Sequence, residues 1–98
     1  MERVVNYIRN HSSLDEPISN KEIGDALKLS GFSIRKKINE ARCQGFPICS
    51  CDKGYYYSED KTEIIKTVQS LMHRTMAVEK AVSGLLAVVK FDLEEKEI

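Results

Sequence analysis

The sequence predicts a mainly α (α+β) chain: a helix-turn-helix, a two- or three-stranded sheet built on a hairpin, and a long C-terminal helix of coiled-coil character. Three observations carry this. Between Ser19 and Gly45 two short amphipathic helices follow one another with only a turn between them. Two β-prone runs, FPICSC and YYYS, then flank Asp52-Lys53-Gly54. Beyond residue 58 apolar residues recur in alternating steps of four and three with no proline to interrupt them.

The first element is a polar helix from Glu2 to about Asn10, with Val4, Val5 and Ile8 on one side and Tyr7 beside them. Such a stripe needs a partner, and the helix-turn-helix supplies an open side for it to cover. Ser12 to Pro17 reads as a loop, and Ile18 as a short strand added to the hairpin. Leu14 and Ile18 are expected in the core.

The helix-turn-helix comprises a helix from about Lys21 to Lys28, a turn at Leu29 and Ser30, and a helix from about Gly31 to Gln44. Ile23, Ala26 and Leu27 form one apolar stripe at i, i+3, i+4; Ile34, Ile38 and Ala41 form the other at i, i+4, i+7. Ser19 or Asn20 can cap the first helix and Ser30 the second. Gly45 ends the second in the left-handed conformation glycine tolerates. Gly24 lies where a side chain would hold the helices apart. After Phe46 and Ile48, the glycine of Asp52-Lys53-Gly54 sits where a tight turn wants positive φ. Tyr55, Tyr56 and Tyr57 suggest a base-stacking platform, but strand alternation sends Tyr56 to the face opposite the other two. Packing is therefore the better expectation for at least one of them.

From Ser58 a capped helix begins with Glu59, Asp60 and Glu63 in its first turn, as the helix dipole favours. Val68, Thr75, Val82 and Val89 recur every seventh residue, and Ile64, Leu71, Val78 and Leu85 recur every seventh between them. Assigned to heptad positions a and d, these eight residues form an oligomerisation seam. β-Branched residues at a with mixed Leu, Ile and Val at d lean toward a two-stranded parallel assembly, whereas Ile65, Met72 and Leu86 at e widen the stripe and leave trimers and tetramers open; Thr75 is the polar seam position that can fix register. A helix of about thirty residues spans roughly 45 Å, too long to bury such a stripe on a small domain, so self-association is expected rather than folding back. Ser83-Gly84 is the place where a hairpin break would come, at a glycine cost of about 1 kcal/mol. The organisation expected is residues 1–58 as one domain, 59–91 as the oligomerisation helix and 92–98 as an acidic, frayed tail.

Composition sets the outer limits. The chain has 98 residues, with 15 basic and 15 acidic side chains. Residues 1–57 hold nine Lys and Arg against seven Asp and Glu, and residues 58–98 hold six against eight, a mild polarity that predicts weak affinity of one copy for a polyanion. No signal peptide or membrane-spanning stretch is evident, so a cytoplasmic location and no membrane partner are expected. Cys43, Cys49 and Cys51 are odd in number, and two cysteines one residue apart on a strand cannot readily bond each other. Free thiols are expected. Their spacing lacks the paired arrangement of zinc sites, so no metal and no cofactor are anticipated.

The outer face of the second helix carries the functional expectation. With the apolar stripe turned inward, about 100° per residue puts Lys36, Asn39, Glu40 and Cys43 outward and Ser33, Arg35, Lys37 and Arg42 on the shoulders. Cations on the shoulders suit phosphates, and Lys, Asn or Arg in the middle suit base edges in a major groove. The plainer alternative is a solvated amphipathic helix. A hairpin directly after a helix-turn-helix, with Lys53 at its tip, favours the nucleic-acid role.

These residues resemble the N-terminal winged-helix domain of the biotin operon repressor and its relatives. The likeness is carried by Ile23-Gly24 and Leu27, Leu29-Ser30, Ile34 and Ile38, Gly45, and Lys53-Gly54-Tyr55, and it covers residues 1 to about 58. It implies a winged-helix fold in which the helix bearing Arg35, Lys36, Lys37 and Asn39 reads DNA and Lys53 lies on the wing. The resemblance does not extend to the rest of that repressor: no ligase domain and no biotin-binding segment are expected in these 98 residues.

Three function classes follow. The first is an oligomeric, most simply dimeric, sequence-specific protein of double-stranded DNA, regulating transcription or replication. Its small reader-plus-oligomeriser architecture is like that of bacteriophage and mobile-element proteins, including DNA-recognition subunits of packaging machines. The second is a protein-interaction module with a protein partner, to which the balanced charge points. The third, an enzyme, has no Ser/His/Asp set, no Cys/His set, no phosphate loop and no metal set to support it; no catalytic residue is expected.

Overall fold

Two serines set the helical frame. Ser19 and Ser30 both adopt extended backbone and accept the N–H three residues on, from Glu22 and Ser33, each at 3.1 Å. Each bond satisfies one orphan donor of the helix it opens. The computed structural model describes residues 2–96, with side chains through residue 89. It contains α1 (Glu2–His11), α2 (Asn20–Leu27), α3 (Gly31–Cys43), β1 (Ile48–Cys51), β2 (Gly54–Tyr57) and α4 (Lys61–Lys96). The molecule is mainly helical, with one small antiparallel sheet and a long C-terminal helix.

The α2–α3 turn is set by Lys28 and Leu29. Lys28, not a glycine, takes the left-handed conformation (φ 57°), and the Leu29 N–H reaches back to the Gly24 carbonyl at 3.1 Å. A Cβ on Gly24 would lie 2.8 Å from the Leu29 carbonyl and 3.4 Å from Ile34 Cδ1. α3 therefore packs against the Ile23–Gly24–Leu27 side of α2, and this rotation leaves Ala26, expected inside, exposed. Leu14 is also a correction. It sits in a bend closed by reciprocal Ser13–Glu16 backbone bonds and is 52% exposed.

Val4, Val5 and Ile8 of α1, Ile23 of α2, Ile34, Ile38 and Ala41 of α3, and Ile18 and Ile48 make one buried cluster. Fully burying side chains of this size contributes about 1.5–3 kcal/mol each. β1 and β2 pair in the register Ile48↔Tyr57, Cys49↔Tyr56, Ser50↔Tyr55, Cys51↔Gly54. Ile18 adds a single-residue bridge to the other edge of β2, exchanging two 2.8 Å bonds with Tyr55. Gly54 (φ 142°) permits that edge, because a Cβ there would run into the Ile18 carbonyl.

The hairpin has two covered faces. Ile48, Tyr55 and Tyr57 face the helical cluster, while Cys49 and Tyr56, on the opposite side, are also buried. The first turns of α4 cover that second side: Tyr56 donates its hydroxyl proton to Glu63 at 2.8 Å. The hydroxyl of Thr67 accepts the Ser50 N–H at 3.2 Å, which closes the open edge of β1. The chain forms two compact units, Met1–Thr67 and Val68–Ile98, so the first turns of α4 belong with the first unit. The start of α4 differs from that expected. Asp60 accepts the Thr62 N–H at 2.8 Å as its cap, while the Ser58 hydroxyl accepts the Asp60 N–H at 3.2 Å one step earlier in the chain and the Ser58 N–H bonds the Pro47 carbonyl.

α4 continues through Lys96. The acidic tail expected at 92–98 lies beyond the described side chains. No described helix is long and apolar enough to cross a membrane.

Candidate nucleic-acid interface

α3 is held from behind by Ile34, Ile38 and Ala41, each essentially inaccessible to solvent. A helix so anchored has a defined outer face. Lys36, Asn39, Glu40 and Cys43 are exposed there, with Arg35 exposed beside them. Ser33 and Lys37 are half-buried at the margins, Ser33 with its N–H used by the Ser30 cap. Lys53 is exposed at the hairpin tip, between the last paired residues Cys51 and Gly54.

Two further exposed residues, one on α3 and one in the turn before it, escaped the sequence reading. Phe32, in the first turn of α3, is 72% exposed. Its place was legible: Phe32, Lys36, Asn39 and Cys43 follow i, i+4, i+7, i+11, the spacing of the inner stripe on the opposite side. Lys28, exposed in the turn before α3, is the second, and its left-handed backbone carried no sequence signal.

Arg42 is a correction. Expected among the phosphate-reaching cations, it is half-buried, with its Nε donating to the Ile48 carbonyl at 2.8 Å and its guanidinium 5.9 Å from the centre of the Tyr55 ring. It joins the end of α3 to the hairpin. The Ile48 carbonyl at the start of β1 and an aromatic face from β2 together draw it inward.

The tyrosines form no stacking platform. Tyr56 is 2% exposed, and burial first, then its bond to Glu63, drives its pKa well above the ordinary 10.0. Tyr57 accepts a bond from Arg9 at 3.1 Å, and the guanidinium lies 4.7 Å from its ring centre. Tyr55 lies half-buried against the core.

The surface is suited to a polyanion with apolar features. Arg35, Lys36, Lys53 and Lys28 supply positive charge, Asn39 supplies an amide with donor and acceptor, and Phe32 supplies an apolar ring. The first turn of α3 has no acidic residue, so its N-terminal partial charge is not neutralised. Cys49 is buried with its thiol pKa raised, chiefly by that burial, whereas Cys43 and Cys51 are exposed. Among the described residues no three His, Cys, Asp or Glu side chains converge as a metal site. His11 is stacked on Tyr7 at 4.2 Å, and His73 is exposed on α4.

The residues expected to form the oligomerisation seam divide by position. Ile64 and Leu71 are half-buried; Val68, Thr75, Val78, Val82, Leu85 and Val89 are exposed, as are Ile65, Met72 and Leu86. Ala81 to Val89 contains no charged residue on any side of the helix. No protein-family model, curated protein or solved structure matches the chain.

Proposed function

We propose that this chain is a winged-helix protein that binds double-stranded DNA sequence-specifically as an oligomer, with α3 as the reading helix and the β1–β2 hairpin as the wing. The observation that carries this is the outer face of α3. Phe32, Lys36 and Asn39 stand in line on a helix whose other side is locked in the core. In a major groove, Asn39 has the donor–acceptor pair that matches adenine, Lys36 matches the acceptors of guanine, and Phe32 matches a thymine methyl. Arg35, Lys37 and Lys53 have the charge and reach for phosphates, which orient the protein without reading sequence.

The helix beyond Val68 supports association with further copies, since it presents an apolar stripe that one copy leaves in water. Two copies on one site would offset the small positive charge of residues 1–57 through effective concentration. A small regulator of transcription or replication fits this plan, as does a DNA-recognition subunit of a phage packaging machine.

A second reading, docking to a protein, is favoured by the exposed Phe32 and the balanced charge of the chain. Selection of bound sites from a random DNA pool at near-physiological salt separates the two. Enrichment of a two-fold symmetric motif by an even-numbered oligomer is the outcome expected. A folded, oligomeric protein that enriches no sequence and shows no salt dependence would sink the DNA reading in favour of the second.

A further inference from the structure

From Val68 to Val89, α4 carries three charges that find no opposite charge at helical spacing, Arg74, Glu79 and Lys80; Lys80 falls at heptad position f, away from the seam, which leaves the first two beside it. Arg74 has Ser70, Leu71, Ala77 and Val78 three and four residues away; Glu79 has Thr75, Met76, Val82 and Ser83. Among the described residues the one ion pair within 4 Å joins Lys66 to Glu63, so neither Arg74 nor Glu79 is neutralised within the chain. Both are exposed. With the seam at Val68, Leu71, Thr75, Val78 and Val82, Arg74 falls at heptad position g and Glu79 at the following e. These two positions flank a coiled-coil seam and set partner choice and orientation.

We infer that α4 associates with a second copy of this chain in parallel and in register, with Arg74 of each copy paired to Glu79 of the other. The inference rests on the self-association half of the proposed function and is independent of DNA. In a parallel pair, g of one helix meets the next e of its neighbour, so two-fold symmetry makes both contacts attractive. In an antiparallel pair, g faces g and e faces e, which sets arginine toward arginine and glutamate toward glutamate. Charge therefore selects the parallel form. Thr75, the polar seam position between the two, is already served: its hydroxyl donates to the Leu71 carbonyl at 3.0 Å. It can meet the second copy's Thr75 without leaving a donor unsatisfied.

The test is the mass of the full chain in solution across a dilution series, for wild type, R74E, E79R and R74E/E79R, with far-UV circular dichroism to verify that each is folded. Each single reversal sets like charges together at both contacts and is expected to raise the dissociation midpoint about tenfold at low salt, less at high salt. The double reversal restores opposite charges in the parallel pair alone and is expected within about threefold of wild type. A double variant as weak as the singles, or singles as strong as wild type, overturns the parallel pairing. A monomeric wild type overturns self-association itself.

Discussion

The hydroxyl of Tyr56 donates to Glu63 Oε2 at 2.8 Å, and this bond ties the hidden face of the hairpin to the first turn of α4. Tyr56→Phe keeps the ring and its burial but strips Glu63 of that donor. The expected cost is about 1–2 kcal/mol of unfolding free energy, read from urea denaturation at neutral pH. An unchanged midpoint would show that the bond does not hold the helix to the hairpin.

The same contact sets an alkaline limit. Burial raises the Cys49 thiol above its ordinary 9.0, and burial with the Glu63 bond raises Tyr56 above 10.0. A raised value in the fold means that the folded chain keeps protons which the unfolded chain releases. Stability from these groups is thus complete below about pH 9 and falls as pH climbs past 9 and then 10. Tyr56→Phe removes the later part of that decline, whereas Cys49→Ala removes the earlier part. Denaturation midpoints taken from pH 7 to 11 measure both.

Arg42 and Arg35 lie on the same helix with opposite duties. Arg42→Ala loses the Ile48 carbonyl bond and the packing on Tyr55, for an expected destabilisation of about 2 kcal/mol. Arg35→Ala, at an exposed position, is expected within about 0.5 kcal/mol of wild type. Thermal melts compare them directly, and equal losses would contradict the placement of Arg42.

Glycines 45 and 54 both have positive φ, and their substitutions are expected to differ in cost. Around Gly45 nothing lies within 4 Å of an added Cβ, so Gly45→Ala costs only conformational strain, about 1 kcal/mol. Gly54→Ala meets the Ile18 carbonyl and must displace the bridge to Tyr55, an expected loss of about 3 kcal/mol or more. If the two variants unfold at the same denaturant concentration, the Ile18 edge is not part of the stable fold.

For DNA, Lys36→Ala and Asn39→Ala are expected to flatten preference at one base pair each, by about 1–3 kcal/mol. Phe32→Ala is expected to reduce discrimination at a thymine. Lys53→Ala weakens binding to all sequences alike and lowers the salt slope by about one. Binding isotherms on the selected site and on scrambled DNA at several salt concentrations make the comparison; uniform small effects from all four would count against the assignment.

What was legible in the chain was local. Ser19, Ser30 and Gly45 mark helix ends because capping depends on backbone groups only a few residues away. The inner stripe of α3, the Asp52-Lys53-Gly54 turn and the presence of a long helix after the hairpin follow equally from short-range patterning, although α4 runs from Lys61 to Lys96 rather than from 59 to 91. Tertiary structure decided the rest, by bringing remote groups together. A shoulder residue such as Arg42 lies about as close to core as to solvent in helical projection; the Ile48 carbonyl and the Tyr55 ring turned it inward. The close approach of α3 at Gly24 goes with an exposed Ala26, the Ile18 carbonyl leaves no room for a side chain at residue 54, and Thr67 ties the start of α4 to β1. Period and capping are written in neighbours along the chain. The direction of a polar or aromatic side chain is decided by partners that only folding delivers.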